Sequence, residues 1–392
     1  MAYGLIVFGL FAASQLIRYF MQPDVLYPDF YGLWSFARFV QTHTPAAIYD
    51  DAALTRYQVE LDAGFTGHYP FLYPPPFLLL LWPLGQMSYA AARIIWIIVS
   101  LAAFLAAVCG RDWTRILALA TILAPATVVC TVYGQNGLIS AALMIAGVCM
   151  ARSRPILAGT LFGALIYKPQ FGLLIPVALA AAGLWRAVAA AALTATTVAV
   201  ASTLAFGTAM WPAWIAAARA VSGVGGEDRV HLDRLMPTVA AAARRLGGAP
   251  EVANAIQVLA AVIAAAVVWR CWRRRAGLAT DLSLPVATFL ATPYGFGYDL
   301  PMVAAAVLLA LDDWGRRFRS FAFVDLFIAL LVMMLPAIFL STLTIGAPLG
   351  VLFLAALLWR LAADGPGIAM DDVTNSPVWH DTNTLRSEAC ER

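Results

Sequence analysis

Lys168 is the only lysine in a chain whose other strong cations are all arginine, and it lies inside the apolar run FGALIYKPQFGLLIP. An ammonium in such surroundings is costly, so it marks either a functional cation or a side chain that snorkels to the interface from a helix end. As a compact point charge it suits a phosphate. Asp29 raises a matching question: it stands in LYPDFYGLW (26–34), a carboxylate among Tyr27, Phe30, Tyr31 and Trp34. It is either a reacting group or the N-cap of a helix beginning at Phe30. Gln135 and Asn136 in YGQNG (133–137) offer neutral donors for ligand hydroxyls, or form a polar turn capping two helices. Gln170 follows Lys168 in YKPQF (167–171), and Tyr294 and Asp299 lie in TPYGFGYD (292–299). Asp299 is either a polar ligand of a cavity or an N-cap ahead of Leu300 and Pro301.

The elements that must position these groups are set by composition. With 62% hydrophobic and 12% charged residues over 392 positions, the chain is far more apolar than a soluble domain, and its apolar stretches reach membrane-spanning length. An all-α, polytopic transmembrane helical bundle follows, with about 10–13 membrane segments between 1–20 and 343–361. Two longer polar stretches, 21–70 and 207–250, interrupt the integral domain 1–363, and a polar tail occupies 364–392. The first 20 residues lack a cationic leader and a small-x-small cleavage site, so they read as a retained span. A net charge of only +3, with cations in short clusters between apolar segments, gives nucleic acid binding no support. The five cysteines stand singly and read as packing residues, and no metal site has adequate ligands. His43, His68 and His231 read as loop residues.

Placing the clusters at Arg111 and Arg115, Arg152 and Arg154, Arg186, Arg270 and 273–275, and Arg316, Arg317 and Arg319 in the cytoplasm satisfies the positive-inside rule. The opposite face then receives 21–70, YGQNG, YKPQF, 207–250 and TPYGFGYD. Thirteen full crossings cannot join two cytoplasmic termini, so one segment fails to cross; 71–87, opened by Pro74, Pro75 and Pro76, and 114–133, interrupted by Pro125, are the candidates. Segments of 11 to 16 residues rise only about 17 to 24 Å, short of a roughly 30 Å hydrocarbon core. Their junctions therefore sit below the outer surface, where non-helical backbone survives if it lines a wet cavity. The stretch FYGLWSFARFV predicts an amphipathic helix lying on the membrane surface, and Tyr27, Phe30, Tyr31 and Trp34 read as either an interfacial belt or a platform for a ligand.

The order of LYPDFYGLW, PAAIYD (45–50), YPPPFLLLLWPL (73–84), GQNGLISAALM (134–144), GALIYKPQFGLLIP (163–176) and TPYGFGYDLPM (292–302) resembles glycosyltransferase family 87 over residues 1 to 361. The resemblance implies a GT-C-type helical membrane enzyme, mannosyltransferase-like and dependent on a polyprenyl-phosphate sugar donor. Its active site faces outward, in the periplasm of a bacterial cytoplasmic membrane, and its catalytic aspartate occupies the first external loop, here Asp29. The reaction it implies is inverting transfer of a hexose to an acceptor hydroxyl on a lipid or glycan, without a cofactor. That chemistry needs one base opposite the leaving group and a cation near the phosphate, roles open to Asp29 and Lys168. Gln135, Asn136, Gln170, Tyr31, Tyr294 and Asp299 are the further candidates for substrate contact. The sequence departs from the family pattern at Tyr294, where members often carry histidine; a phenol cannot act as a base near neutrality but can donate a hydrogen bond. The rival class is a lipid or small-molecule transporter, against which stand the lack of an internal repeat and the asymmetric 21–70 loop.

Overall fold

The computed structural model describes residues 2–21, 28–110, 113–223, 226–274, 277–317, 323–336 and 346–363. Tyr27, Cys390 and the tail 364–392 lie outside them. All regular elements among the described residues are helical. Helix α1 (Ala2–Met21) precedes the first polar stretch, which folds into α2 (Phe30–Thr42), a 3-10 turn at Pro45–Tyr49 and α3 (Asp51–Leu61). Next come α4 (Pro76–Leu81), continued by a 3-10 segment to Gln86, then α5 (Tyr89–Cys109), α6 (Arg115–Leu123), α7 (Pro125–Tyr133) and α8 (Gly137–Met150). After them run α9 (Pro155–Ala164), α10 (Pro169–Gly172), α11 (Ile175–Ala181) and α12 (Trp185–Phe206). The second polar stretch carries α13 (Met210–Ser222), α14 (Gly226–Leu235) and α15 (Val239–Arg245). The chain continues through α16 (Pro250–Arg274), α17 (Leu278–Asp281), α18 (Ser283–Ala291), a 3-10 turn at Gly297–Asp299, α19 (Pro301–Arg317), α20 (Phe323–Met333) and α21 (Gly346–Ala362).

Helices α5, α12 and α16 are long and apolar enough to cross a membrane, and α6 with α7 adds a fourth path if the pair is taken as one span bent by 57°. Among the described residues, eight shorter apolar helices accompany them. The long helices present Ile94, Ile98, Leu193, Leu204, Val258 and Val262 outward, exposed side chains that suit hydrocarbon rather than water. The fold is that of an all-α polytopic membrane protein. Both segments suspected of failing to cross are broken. Pro76–Gln86 is a short α-to-3-10 element, and Pro125 opens a new helix where α6 stops at Leu123.

Small residues set the closest contacts. On α9, a Cβ on Gly159 would stand 2.2 Å from the carbonyl oxygen of Ala187, and one on Gly163 would stand 2.4 Å from that of Ala191. Without side chains there, α9 lies backbone to backbone against α12, the small-residue approach favoured between apolar helices. At the far end of α8, Arg152 donates from Nε and Nη2 to the two oxygens of Asp281 at 2.8 and 2.7 Å, and to the carbonyl of Trp272 at 3.1 Å. This pair ties the ends of α8, α16 and α17. Since α8 rises about 21 Å from Gly137, the Arg152 cluster and YGQNG occupy opposite ends of one helix.

Helix α2 departs from the expected surface helix. Ten of its 13 residues, from Phe30 to Val40, are buried, with Ser35 wholly so. Phe30, Tyr31 and Trp34 pack on Tyr89, and Phe36 packs edge-on against Phe71. The loop 62–75 and the 3-10 segment after α4 fold over Phe30, Tyr31 and Trp34 and bury them in core, while Gly32, Leu33 and Phe36 turn to a cavity. Of the cysteines, Cys109, Cys130 and Cys271 are buried and Cys149 is exposed.

Candidate active site

The loops around α2, α7, α10 and α18 meet at a cavity of about 300 Å³ whose wall includes Asp29, Gln135, Lys168, Gln170, Tyr294 and Asp299. Glycine makes the meeting possible. Gly134 adopts φ +69, closing α7 with the Gln135 amide bonded back to the Cys130 carbonyl at 3.0 Å. Its own carbonyl accepts from Trp96 Nε1 of α5 at 3.0 Å, and its Cα face lies against Phe30. YGQNG is thereby pinned beside the first residue of α2. At Gly137 a Cβ would stand 1.9 Å from the Tyr298 carbonyl oxygen, so only glycine lets the 292–299 loop come down on α8.

Asp29 occupies the N-cap position of α2, but its backbone is helical (φ −50, ψ −24) and its side chain makes no capping bond. Its carboxylate instead faces the cavity, where Oδ2 accepts from Gln135 Nε2 at 2.7 Å and the group is also bonded to the Tyr69 side chain. The residue is half-buried. Burial pushes the Asp29 carboxyl above its ordinary range, while the bonds from Gln135 and Tyr69 pull the other way. Burial and the neighbouring Asp29 push the Tyr69 phenol up as well, so it remains a donor at neutral pH.

Tyr69 is held from the core by Gln58 on α3, which donates to the Tyr69 carbonyl at 2.9 Å and to Ser35 Oγ at 3.0 Å, and accepts the Tyr69 amide at 3.2 Å. The same residue's carbonyl accepts the Tyr31 hydroxyl at 2.6 Å. Tyr31 is thus committed to the α2–α3 contact and does not line the cavity, unlike the substrate contact expected for it. Tyr69 and Gln58 were not singled out from sequence. A polar residue in the middle of α3 and a tyrosine before Pro70 carry no periodic signal.

Lys168 and Asp299 form a buried ion pair on the same cavity wall, 2% and 1% exposed. The ammonium does not snorkel, because Phe171 and Tyr298 close over it at 5.4 and 5.3 Å from their ring centres. The second oxygen of Asp299 accepts the Phe296 amide at 3.4 Å, within its own turn. Of the two readings of Asp299, its carboxylate is therefore a cavity group and not the cap of the following helix. Gln135 likewise meets Asp29 rather than standing free for a ligand, although its Oε1 is buried without a partner. Asn136 lies behind the wall, with neither amide atom in a hydrogen bond and the Tyr73 hydroxyl nearby. The hydroxyl of Tyr294 is also buried without a partner, on the wall itself. Trp214 of α13 covers the cavity and donates to the Leu72 carbonyl at 3.3 Å. Of the loop histidines, His43 stacks on Phe39 and His68 bonds Asp51 at 2.6 Å; the side chain of His231 lies outside those described.

A partly open cavity in an apolar helical protein, holding one compensated cation and one half-buried carboxylate on a largely apolar wall, can bind a small polar group and remove a proton from it. No curated protein and no solved structure matches the chain. The sequence model of glycosyltransferase family 87 matches residues 71–293, which carry Gln135, Asn136, Lys168 and Gln170 and leave Asp29 and Asp299 on either side. With more than half of its length matched, this chain belongs to glycosyltransferase family 87 and is a glycosyltransferase.

Proposed function

We propose that the chain is an inverting hexosyltransferase that moves a hexose, mannose in the first instance, from a polyprenyl-phosphate carrier to an acceptor hydroxyl of a lipid or glycan. It acts in a bacterial cytoplasmic membrane, with the cavity open to the periplasm. The observation that supports this most is Asp29, a carboxylate facing the cavity with its orientation fixed by Gln135 and Tyr69. In the step proposed, the acceptor oxygen attacks the anomeric carbon from the face opposite the phosphate. Asp29 takes the hydroxyl proton, the carbon–oxygen bond to phosphate breaks, and the phosphate leaves with its electron pair. A carboxyl held above its ordinary range is a stronger base than a solvated one, which suits a weakly acidic hydroxyl. The phosphate end of the cavity is assigned to Gln170 and Tyr294, which present an amide and an unpartnered phenol beside the Lys168–Asp299 pair.

The test is transfer from labelled polyprenyl-phosphate mannose to endogenous acceptors in membranes bearing wild type or an equally expressed Asp29→Asn variant. Transfer by wild type alone is the expected result. Equal transfer by both would remove Asp29 as the base, and none by either would remove this donor.

A further inference from the structure

We propose that Gln58, which does not line the cavity, is a positioning residue for the base: it seats Tyr69 so that the phenol is held on the Asp29 carboxylate, and transfer slows when that seat is lost. The proposal rests on the reading above, in which Asp29 takes the acceptor proton.

Gln58 is wholly buried on α3 and is not part of the cavity wall. Its side-chain amide spans the main chain of Tyr69, accepting the N–H at 3.2 Å and donating to the carbonyl at 2.9 Å. An amide offers a donor and an acceptor side by side, which neither a carboxylate nor an apolar side chain does. The same nitrogen donates to Ser35 Oγ at 3.0 Å, and Ser35 in turn donates to the Gly32 carbonyl at 2.8 Å. Gln58 therefore grips both Tyr69 and the turn of α2 on which the Tyr69 ring rests. At that turn a Cβ on Gly32 would stand 2.9 Å from Cβ and Cγ of Tyr69, so glycine lets the ring lie on the helix. Phe65 stacks on the ring with 5.6 Å between centres. Gly32 follows Asp29 by three residues on one face of α2, about 4.5 Å along the helix axis. With its base on Gly32, the phenol reaches back one turn to the carboxylate, to which its hydroxyl is bonded. Gln58 thus acts on Asp29 through one hydroxyl.

The other charged and titratable groups around Asp29 stay in place when Gln58 is changed. Tyr73 and Tyr298 lie within electrostatic reach of the carboxylate, and Tyr89 and Tyr133 within reach of Tyr69; phenols carry no charge near neutrality. Lys168 and Asp299 compensate each other on the wall, and Arg93 of α5 donates to the Val132 carbonyl at 3.1 Å. Arg229 and Arg244 share Asp233 and leave one net positive charge near Tyr294. These groups set where Asp29 titrates, and the Tyr69 bond is what a Gln58 variant alters.

The experiment is a double-mutant cycle of Gln58→Met and Tyr69→Phe, the latter keeping the main chain that Gln58 grips. Labelled polyprenyl-phosphate mannose is titrated into membranes holding equal amounts of each variant, and the limiting rate and the donor KM are read separately. Gln58→Met is expected to lower the limiting rate about tenfold at an unchanged donor KM, as for one loosened bond to a charged group. Tyr69→Phe is expected to lower it at least as far. The double variant is expected to match Tyr69→Phe within about twofold, since both changes remove one interaction. In parallel, the Asp29 carboxyl of the purified full-length chain is titrated by infrared difference spectroscopy, its band identified by its loss in Asp29→Asn. This readout needs no turnover, and Gln58→Met and Tyr69→Phe are each expected to move the midpoint upward by about one pH unit. Losses that multiply in the double variant, or a folded Gln58→Met with the wild-type rate or midpoint, overturn the proposal. Should Gln58→Met fail to fold, Gly32→Ala displaces the same ring and is expected to be non-additive with Tyr69→Phe in the same way; multiplying losses there overturn the proposal too. A midpoint that moves as expected while wild type transfers no mannose sinks the proposed donor and leaves the positioning of Asp29 standing.

Discussion

Gln135 and Asp29, 106 positions apart in the chain, are joined by a hydrogen bond of 2.7 Å from Nε2 to Oδ2. The contact fixes the orientation of the Asp29 carboxylate and leaves Gln135 Oε1 on the cavity wall without a partner. Because its bond lowers the carboxyl pKa against the upward push of burial, Gln135→Leu should move the acidic limb of the activity profile to higher pH. A kcat loss of about tenfold is expected alongside, by analogy with a lost bond to a charged group. A pH–rate profile with an unmoved acidic limb would refute the orienting role.

Asp29→Asn should lower transfer by roughly 10²- to 10⁴-fold, the range of general base catalysis. Its stability should move the other way. A carboxyl raised in the folded state contributes stability below its unfolded pKa and loses it as pH rises through the folded value, so at pH 7 the ionised group is a liability. The variant is expected to melt at or above the wild-type temperature at pH 7, with the gap narrowing toward acid pH. A clear drop in melting temperature at pH 7 would mark Asp29 as structural.

Removing one partner of the Lys168–Asp299 pair leaves a buried charge without its counterion. Lys168→Met alone should destabilise the protein by about 3–5 kcal/mol, while the double variant Lys168→Met with Asp299→Leu should recover most of that loss. Thermal melts of the single and double variants in detergent check this. Equal melting temperatures for the two would show that the pair is not coupled.

Gly137→Ala should push the Tyr298 carbonyl away from α8 and open the cavity wall, since the added Cβ would stand 1.9 Å from that oxygen. An overpacking cost of about 1–3 kcal/mol is expected, together with lost transfer. Gly172→Ala, at a glycine with open space around its Cα, is the control and should leave the stability within about 0.5 kcal/mol of wild type. Similar effects of the two substitutions would contradict the role given to the Gly137 contact.

Much of the architecture could be read from the chain because membrane helices are specified locally. Apolar runs of spanning length, prolines at the breaks and arginine clusters between segments are one-dimensional signals, and hydrocarbon leaves helices as the way to satisfy their backbones. The polar islands YGQNG, YKPQF and TPYGFGYD were legible for the same reason, as costly exceptions in an apolar background. Pairing was not legible. Lys168 could be marked as an unusual cation, yet its partner Asp299 lies 131 residues on and looked like a helix cap. Asp29 looked equally like a cap until its backbone proved helical and its carboxylate turned toward Gln135. The aromatic rings of α2 read as a belt because periodicity reports one buried face, whereas the 62–75 loop and the segment after α4 cover the other. Composition and order thus determined a helical membrane protein with polar groups at its helix breaks. Which of those groups touch, and which charge cancels which, was decided only when the turns at Gly134 and Gly137 brought distant segments within bonding distance, because such contacts depend on close approach in space and leave no spacing in the sequence.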